Sequence, residues 1–365
     1  MRVDAFDFDL PEEQIALHPA DPRDAARLLQ VSASGDLSDH IVCDLPSLLQ
    51  PGDLLVLNQT RVIPAQLSGL RTREGVEVGL PVYATLVEAQ DEDQLVWKAM
   101  AKPGKRIKPG DRIQFSADGP GCLRADVKAK DDDGLVTLAF TGTPQTFADG
   151  LAAIGMPPLP PYIASKRGYL EEDKADYQTV YAETDGSVAA PTAGLHFTDR
   201  LFEALDARGI GRAFVTLHVG MGTFLPVKAD TTEDHTMHAE WGEITPETAD
   251  AINRARDNGG RSIAVGTTSL RILESAADET RTVHPFQGET AIFITPGYRF
   301  KGIDALMTNF HLPKSTLFML VSALCGLDRM KSAYAHAIEA GYRFYSYGDG
   351  SLLWASDEAL SEASR

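Results

Sequence analysis

A short apolar run, LLVLN at residues 54–58, follows Pro51-Gly52 and predicts a buried strand. After Arg61-Val62-Ile63-Pro64 the texture changes. Between Leu67 and Phe140 the apolar positions fall into short segments, VYATLVEA, QLVWKAM, DRIQF, CLRADVKA and GLVTLAF, separated by Gly, Pro, Asp and Lys. Strands of that length and spacing predict a small antiparallel barrel. Past a proline-rich stretch, MPPLPPYI at 156–163, helical and strand periods alternate. FTDRLFEALDARG predicts a helix ending at Gly209, AFVTLHVG a strand, and PETADAINRARDNGG a helix ending at Gly259-Gly260. RSIAVG predicts a strand, TTSLRILESA a helix and AIFIT a strand, with two further helices at 315–325 and 328–340.

Strands alternating with helices imply a mostly parallel sheet covered on its faces. The expected fold is α/β: a mostly parallel-sheet main domain, residues 1–64 and 156–365, interrupted by an inserted small antiparallel β-barrel at 65–155.

Composition narrows the partners. The 365 residues carry 34 basic and 52 acidic side chains, a net charge of −18, which speaks against a general cationic coat for nucleic acid. Charge position still matters. AKPGKRIKPGDRI gathers Lys102, Lys105, Arg106, Lys108 and Arg112, with Asp111 the single acid among them, between acidic flanks. Such a strip suits either a restricted phosphate-backbone contact or a solvated hairpin. Cys43, Cys122 and Cys325 are far apart and form no CxxC pair, so a reducing compartment is expected. The N-terminus carries acids where a secretory leader is apolar, and the longest apolar run, at 317–324, is far below the roughly 18 residues of a membrane span. A cytoplasmic protein without membrane attachment is expected.

Candidate chemistry lies in loops at strand ends, where open α/β sheets bind ligands. GSVAAPTAGLHFT (186–198) offers Thr192 and His196, with Thr198 placed to cap the next helix. LHVGMGTFLPV (217–227) offers His218 and Thr223, but lacks the third glycine and immediate helix of a dinucleotide site. EDHTMHAEW (233–241) adds His235, His238 and Glu240. No carboxylate cluster or HExxH pattern supports a metal there, so no metal is expected; His218, His238 and Glu240 suit proton transfer better. In AVGTTSLRILES (264–275), Thr267 and Thr268 open a helix whose free N–H groups suit an anion, with Arg271 one turn on. The segment ending MTNFHLPKSTLFMLVSALCG offers Asn309, His311 and Lys314, and GYRFYSYGDGSLL groups aromatics, including Tyr345, that suit either base stacking or core packing.

Together LLVLNQTRVIPAQL, GSVAAPTAGLHFT, TLHVGMGTFLPV, EDHTMHAEW, VGTTSLRILES, MTNFHLPKSTLFMLVSALCG and YRFYSYGD resemble, in order and over essentially the whole chain, the S-adenosylmethionine:tRNA ribosyltransferase-isomerase family of queuosine biosynthesis. Gln66 departs from the family, which more usually has arginine after VIPA. The resemblance implies transfer and isomerisation of the ribosyl part of S-adenosylmethionine onto 7-aminomethyl-7-deazaguanine (preQ1) at wobble position 34 of tRNA. The implied products are epoxyqueuosine, adenine and methionine. S-Adenosylmethionine is then a consumed co-substrate and no separate cofactor is needed; the chain is expected to act as a monomer.

The implied proton-transfer groups are among His196, His218, His238 and Glu240. Thr267, Thr268 and Arg271 would hold the methionine carboxylate or a phosphate. Tyr298 and Tyr345 would stack on adenine or the wobble base, with Thr192, Thr223, Asn309, His311 and Lys314 as further substrate contacts. Arg61 and the strip from Lys102 to Arg112 would position the tRNA. The rival readings are a generic α/β enzyme acting on a phosphorylated nucleotide, and a non-catalytic RNA-binding module, which lacks its expected basic aromatic motif.

Overall fold

The structure, a computed structural model, describes residues 1–73, 76–116, 122–131, 134–220 and 227–360. It divides into two compact units. One comprises residues 1–61, 178–184 and 190–365, the other 62–177 and 185–189. The second unit thus runs on past residue 155, for a local reason. Gln66 and Met156 exchange backbone hydrogen bonds of 2.9 Å. A Cβ on Gly155 would lie 2.1 Å from the Pro64 carbonyl oxygen, so this approach requires glycine. The proline-rich stretch therefore stays with the barrel, and its Pro161 opens a helix, Pro161–Arg167.

Among the described residues the first unit holds a nine-stranded mixed sheet. Its order is Phe286–Thr290, Glu240–Ile244, Gly211–Leu217, Leu54–Asn58, Ser262–Val265, Ala305–Asn309, Gly350–Trp354, Arg27–Val31 and Leu37–Ile41. The central four strands, from Gly211–Leu217 to Ala305–Asn309, are parallel. Antiparallel pairs lie outside them, and Gly350–Trp354 is parallel to Arg27–Val31. Every residue of Leu54–Asn58 is buried, as befits a strand covered on both faces.

The helices cover those faces through amphipathic stripes. Asp199–Ala207 buries Leu201, Phe202 and Leu205 against a core that includes Leu55, Leu57, Val265 and Met307. Each such leucine contributes about 1.5–3 kcal/mol by leaving water. Thr198 caps this helix, its hydroxyl accepting from Leu201 N–H at 3.3 Å, and Ser315 caps Thr316–Cys325 through Phe318 N–H at 3.1 Å.

The edge strand corrects one expectation. AIFIT at 291–295 is not a strand; the strand is the preceding FQGET, Phe286–Thr290. It is held by backbone pairing to Glu240–Ile244, with Gly288 opposite Gly242, so apolar content was a poor guide at this sheet edge. Ile294 is buried just beyond it.

In the second unit six antiparallel strands close into a barrel. Their order is Val136–Phe140, Val96–Lys102, Val76–Ala89, Gln66–Arg73, Arg112–Gln114 and Arg124–Lys130, which returns to the first. Inward positions alternate, with Leu67, Val82, Ala84, Trp97, Ala99, Val127 and Leu138 buried. Helix Pro144–Ile154 sets Phe147 against Phe140 and Trp97, with ring centroids 4.7 and 6.1 Å away.

Candidate active site

Because the four central strands of the first unit run parallel, their carboxyl ends deliver Asn58, His218, Gly266 and Asn309 to one edge of the sheet. Asn58 is fully buried and uses its whole amide. Its Nδ2 donates to Leu217 O (2.9 Å) and Thr268 Oγ1 (3.2 Å), and its Oδ1 accepts from Leu217 N–H (3.0 Å) and Thr60 N–H (3.2 Å). One side chain thus joins two strand ends to the start of the next helix. Thr60, also buried, holds His218: Oγ1 and Nδ1 are 2.8 Å apart. Trp241 stacks on the His218 ring at 5.3 Å and 17°, and its carbonyl accepts from His218 N–H at 2.9 Å.

Helix Thr267–Ala276 begins after Gly266, whose φ of +88° makes the strand-to-helix turn and whose missing side chain leaves the helix without a cap. One turn in, Arg271 is buried and ion-paired with buried Glu240. Glu240 also accepts from Gly220 N–H at 3.2 Å. Among the described residues, the Arg271 Nε and Nη2, and the neighbouring Ser269 Oγ, are buried without a hydrogen-bond partner. Buried donors are nearly always satisfied, so these atoms leave hydrogen-bonding capacity of the kind a carboxylate or phosphate oxygen takes up. Farther along the helix, Glu274 is buried and accepts from Lys301 and Gly302 N–H and from Tyr298 O–H (3.1 Å). Burial pushes its carboxyl above the usual range and the Tyr298 phenol well above its own. Tyr298 is thereby engaged in tying helix to loop.

A second group adjoins. A Cβ on Gly266 would lie 3.6 Å from that of Ala193, within the short 3-10 helix Thr192–His196. Thr192 Oγ1 donates to Asn309 Oδ1 at 2.9 Å. His196 is buried with both ring nitrogens facing carbonyls, Nδ1 to Ala193 O (3.1 Å) and Nε2 to Gly348 O (3.0 Å). Burial lowers its pKa, and the two carbonyls oppose that. Pro19, Arg23, Leu195 and Tyr347 line a cavity beside it. His311 is buried, with Nε2 3.2 Å from Thr308 Oγ1, and burial lowers its pKa to about 3. Tyr345 holds a left-handed φ of +74°, and burial raises its phenol. Lys314 is exposed and pairs with Asp7 at 2.7 Å.

The other expected residues make none of the hydrogen bonds or ion pairs just described. His238 is exposed, and Arg61, also exposed, donates to Ala182 O at 2.8 Å. Thr223 lies outside the described residues. In the barrel unit Lys102, Lys105, Arg106, Lys108 and Arg112 are all exposed. Their loop is anchored from within by Asp111, which accepts from Lys108 N–H at 2.9 Å, and by Arg71, which donates to Arg106 O. Arg112 pairs with Asp126 at 2.8 Å.

Sequence reasoning passed over Asn58, Thr60, Trp241 and Ser269. For the first two a signal existed: polar residues at and just past the end of the apolar run Leu54–Leu57. No helix among the described residues is long and apolar enough to cross a membrane.

The family model described as queuosine biosynthesis protein matches residues 3–353. The chain is 59% identical to the S-adenosylmethionine:tRNA ribosyltransferase-isomerase of Agrobacterium fabrum, over 97% of this chain and 99% of that one. It is 60% identical to the like-named protein of Rhizobium etli, over 98% and 100%. Among solved structures it is similar to S-adenosylmethionine tRNA ribosyltransferase from Thermotoga maritima, 33% identical with a TM-score of 0.52, over 96% of this chain and 99% of that one. The family-model match and the similarity over nearly the whole of both chains show that the chain belongs to the queuosine biosynthesis protein family of S-adenosylmethionine:tRNA ribosyltransferase-isomerases.

Proposed function

We propose that the protein transfers the ribosyl moiety of S-adenosylmethionine to the aminomethyl group of preQ1 at wobble position 34 of tRNA and isomerises it. The products are epoxyqueuosine, adenine and methionine. The observation that carries the substrate side is Arg271: a buried guanidinium, balanced by Glu240, with Nε and Nη2 lacking acceptors among the described residues, in a helix whose start is uncapped. An amino-acid carboxylate supplies those acceptors, with Thr267 and Thr268 adding hydroxyls.

The reaction needs a base for the carbon beside the sulfonium, whose positive charge acidifies it, and an acid to help adenine leave. The substrate amine is the nucleophile, so no enzyme nucleophile is required. Of His196, His218, His238 and Glu240, His218 has the strongest support as a proton-transfer group: Thr60 and Trp241 fix its ring at the strand edge. Thr192, held by Asn309, and His311, Lys314 and Tyr345 are the further substrate contacts, and Tyr298 supports the Arg271 helix through Glu274. The exposed strip from Lys102 to Arg112, with Arg61, positions the tRNA backbone. The three free cysteines suit the reducing cytoplasm, where the protein acts as a monomer.

Arg271→Ala should raise the KM for S-adenosylmethionine by at least about tenfold, the loss expected for a charged hydrogen bond. An unchanged KM would remove Arg271 from the binding site.

A further inference from the structure

Tyr83 is the most exposed large hydrophobic side chain among the described residues, at 54%. It stands on the outer face of the barrel, in the middle of three paired strands. Its register partners are Ser68 on one side and Lys102 on the other, and the next row pairs exposed Leu70 with exposed Pro81. Cross-strand partners have Cβ atoms about 4.5–5.5 Å apart, so a lysine ammonium and an uncovered aromatic face share one surface. Lys102 ends its strand and leads directly into the loop bearing Lys105, Arg106 and Lys108, all exposed. A cationic, aromatic surface on a chain of net charge −18 is complementary to a polyanion with flat apolar groups.

We propose that this face is an RNA-docking surface on which Tyr83 stacks against an unpaired base of the tRNA while Lys102 contacts the adjoining phosphate. The inference rests on the tRNA reading above and adds to it a stacking residue outside the chemical site. Unpaired bases present a π-face that an aromatic ring accepts regardless of sequence, and a neighbouring lysine adds a salt-dependent contact. Lysine carries the charge and tyrosine the stack, so the two should separate experimentally.

Equilibrium binding of tRNA bearing preQ1 is measured at several salt concentrations for wild type, Tyr83→Ala, Tyr83→Phe and Lys102→Ala, with steady-state kinetics and sedimentation alongside. Tyr83→Ala should weaken binding about 5- to 100-fold, as loss of one base–aromatic stack does, with an unchanged salt slope. It should raise the KM for tRNA and leave kcat at saturation intact. Tyr83→Phe, which keeps the ring, should bind like wild type, and thermal melting should match throughout. Lys102→Ala should lower the salt slope by about 1. Wild-type affinity in Tyr83→Ala, or equal losses in Tyr83→Ala and Tyr83→Phe, would overturn the stacking role. Loss of self-association in Tyr83→Ala with tRNA affinity intact would make the face a contact between copies instead. If Lys105→Ala/Arg106→Ala flattens the salt slope while Tyr83→Ala has no effect, the stacking inference fails and the basic-strip reading stands. If neither variant alters tRNA binding, both fail.

Discussion

Thr60 Oγ1 and His218 Nδ1 lie 2.8 Å apart, joining the residue two beyond the end of Leu54–Asn58 to the residue directly after Gly211–Leu217. Whichever of the two donates, the bond fixes the imidazole plane and couples its tautomer to the threonine hydroxyl. If His218 transfers a proton, it should depend on Thr60. His218→Ala should lower kcat by about 10²–10⁴. Thr60→Val, which keeps shape and removes the hydroxyl, should lower kcat by about tenfold and cost about 1 kcal/mol of stability. Thr60→Ser should recover most of the rate. Equal kcat in Thr60→Val and wild type would disconnect the pair from chemistry.

Arg271 and Glu240 are both buried, so deleting either one strands the other. Glu240→Ala and Arg271→Ala should each destabilise by about 3–5 kcal/mol in denaturant titrations. Glu240→Leu/Arg271→Met should be less destabilised than the two single losses combined, because no lone charge remains. Additive losses would mean that the two side chains do not act as a pair.

The buried histidines set an acid limit. His311 has its pKa depressed to about 3 from 6.5, so below pH 6.5 the unfolded chain binds the proton first. Its contribution to stability is complete above pH 6.5 and is lost as the pH falls toward 3. The slope is at most about 1.4 kcal/mol per pH unit. His196, lowered in the same direction, adds to it. His311→Gln should flatten the pH–stability curve between pH 6.5 and 4 relative to wild type; parallel curves would contradict the assignment.

Gly194 is needed for close approach. A Cβ there would meet the Tyr181 hydroxyl at 2.0 Å and Thr179 Cγ2 at 3.0 Å. Gly194→Ala should therefore destabilise by about 1–3 kcal/mol through overpacking, and adding Tyr181→Phe should restore part of the loss, since the hydroxyl is the nearest obstacle. No recovery in the double variant would place the strain in the backbone.

Much of the fold was legible because it rests on local patterns. The apolar run at 54–57, ending in Asn58, is the buried central strand, the short alternating segments before residue 140 close the barrel, and Gly209 and Gly259 follow the helices they were expected to end. The edge strand was misplaced because backbone pairing holds it, and FQGET has little apolar pattern to read. The site was legible as residue types at strand ends, but not as partnerships. Asn58 with Leu217, Thr60 with His218, Thr192 with Asn309 and Glu240 with Arg271 all join positions 31 to 159 residues apart. No local spacing encodes such pairs, and Asn58 in particular looks like an ordinary polar residue closing a strand.

The most direct test is incubation of the protein with S-adenosylmethionine and tRNA carrying preQ1 at position 34, following both small products and the modified base. Adenine and methionine should be released in equal amounts, matched by conversion of the wobble base to epoxyqueuosine. Release of neither, or formation of S-adenosylhomocysteine with a methylated tRNA, would contradict it.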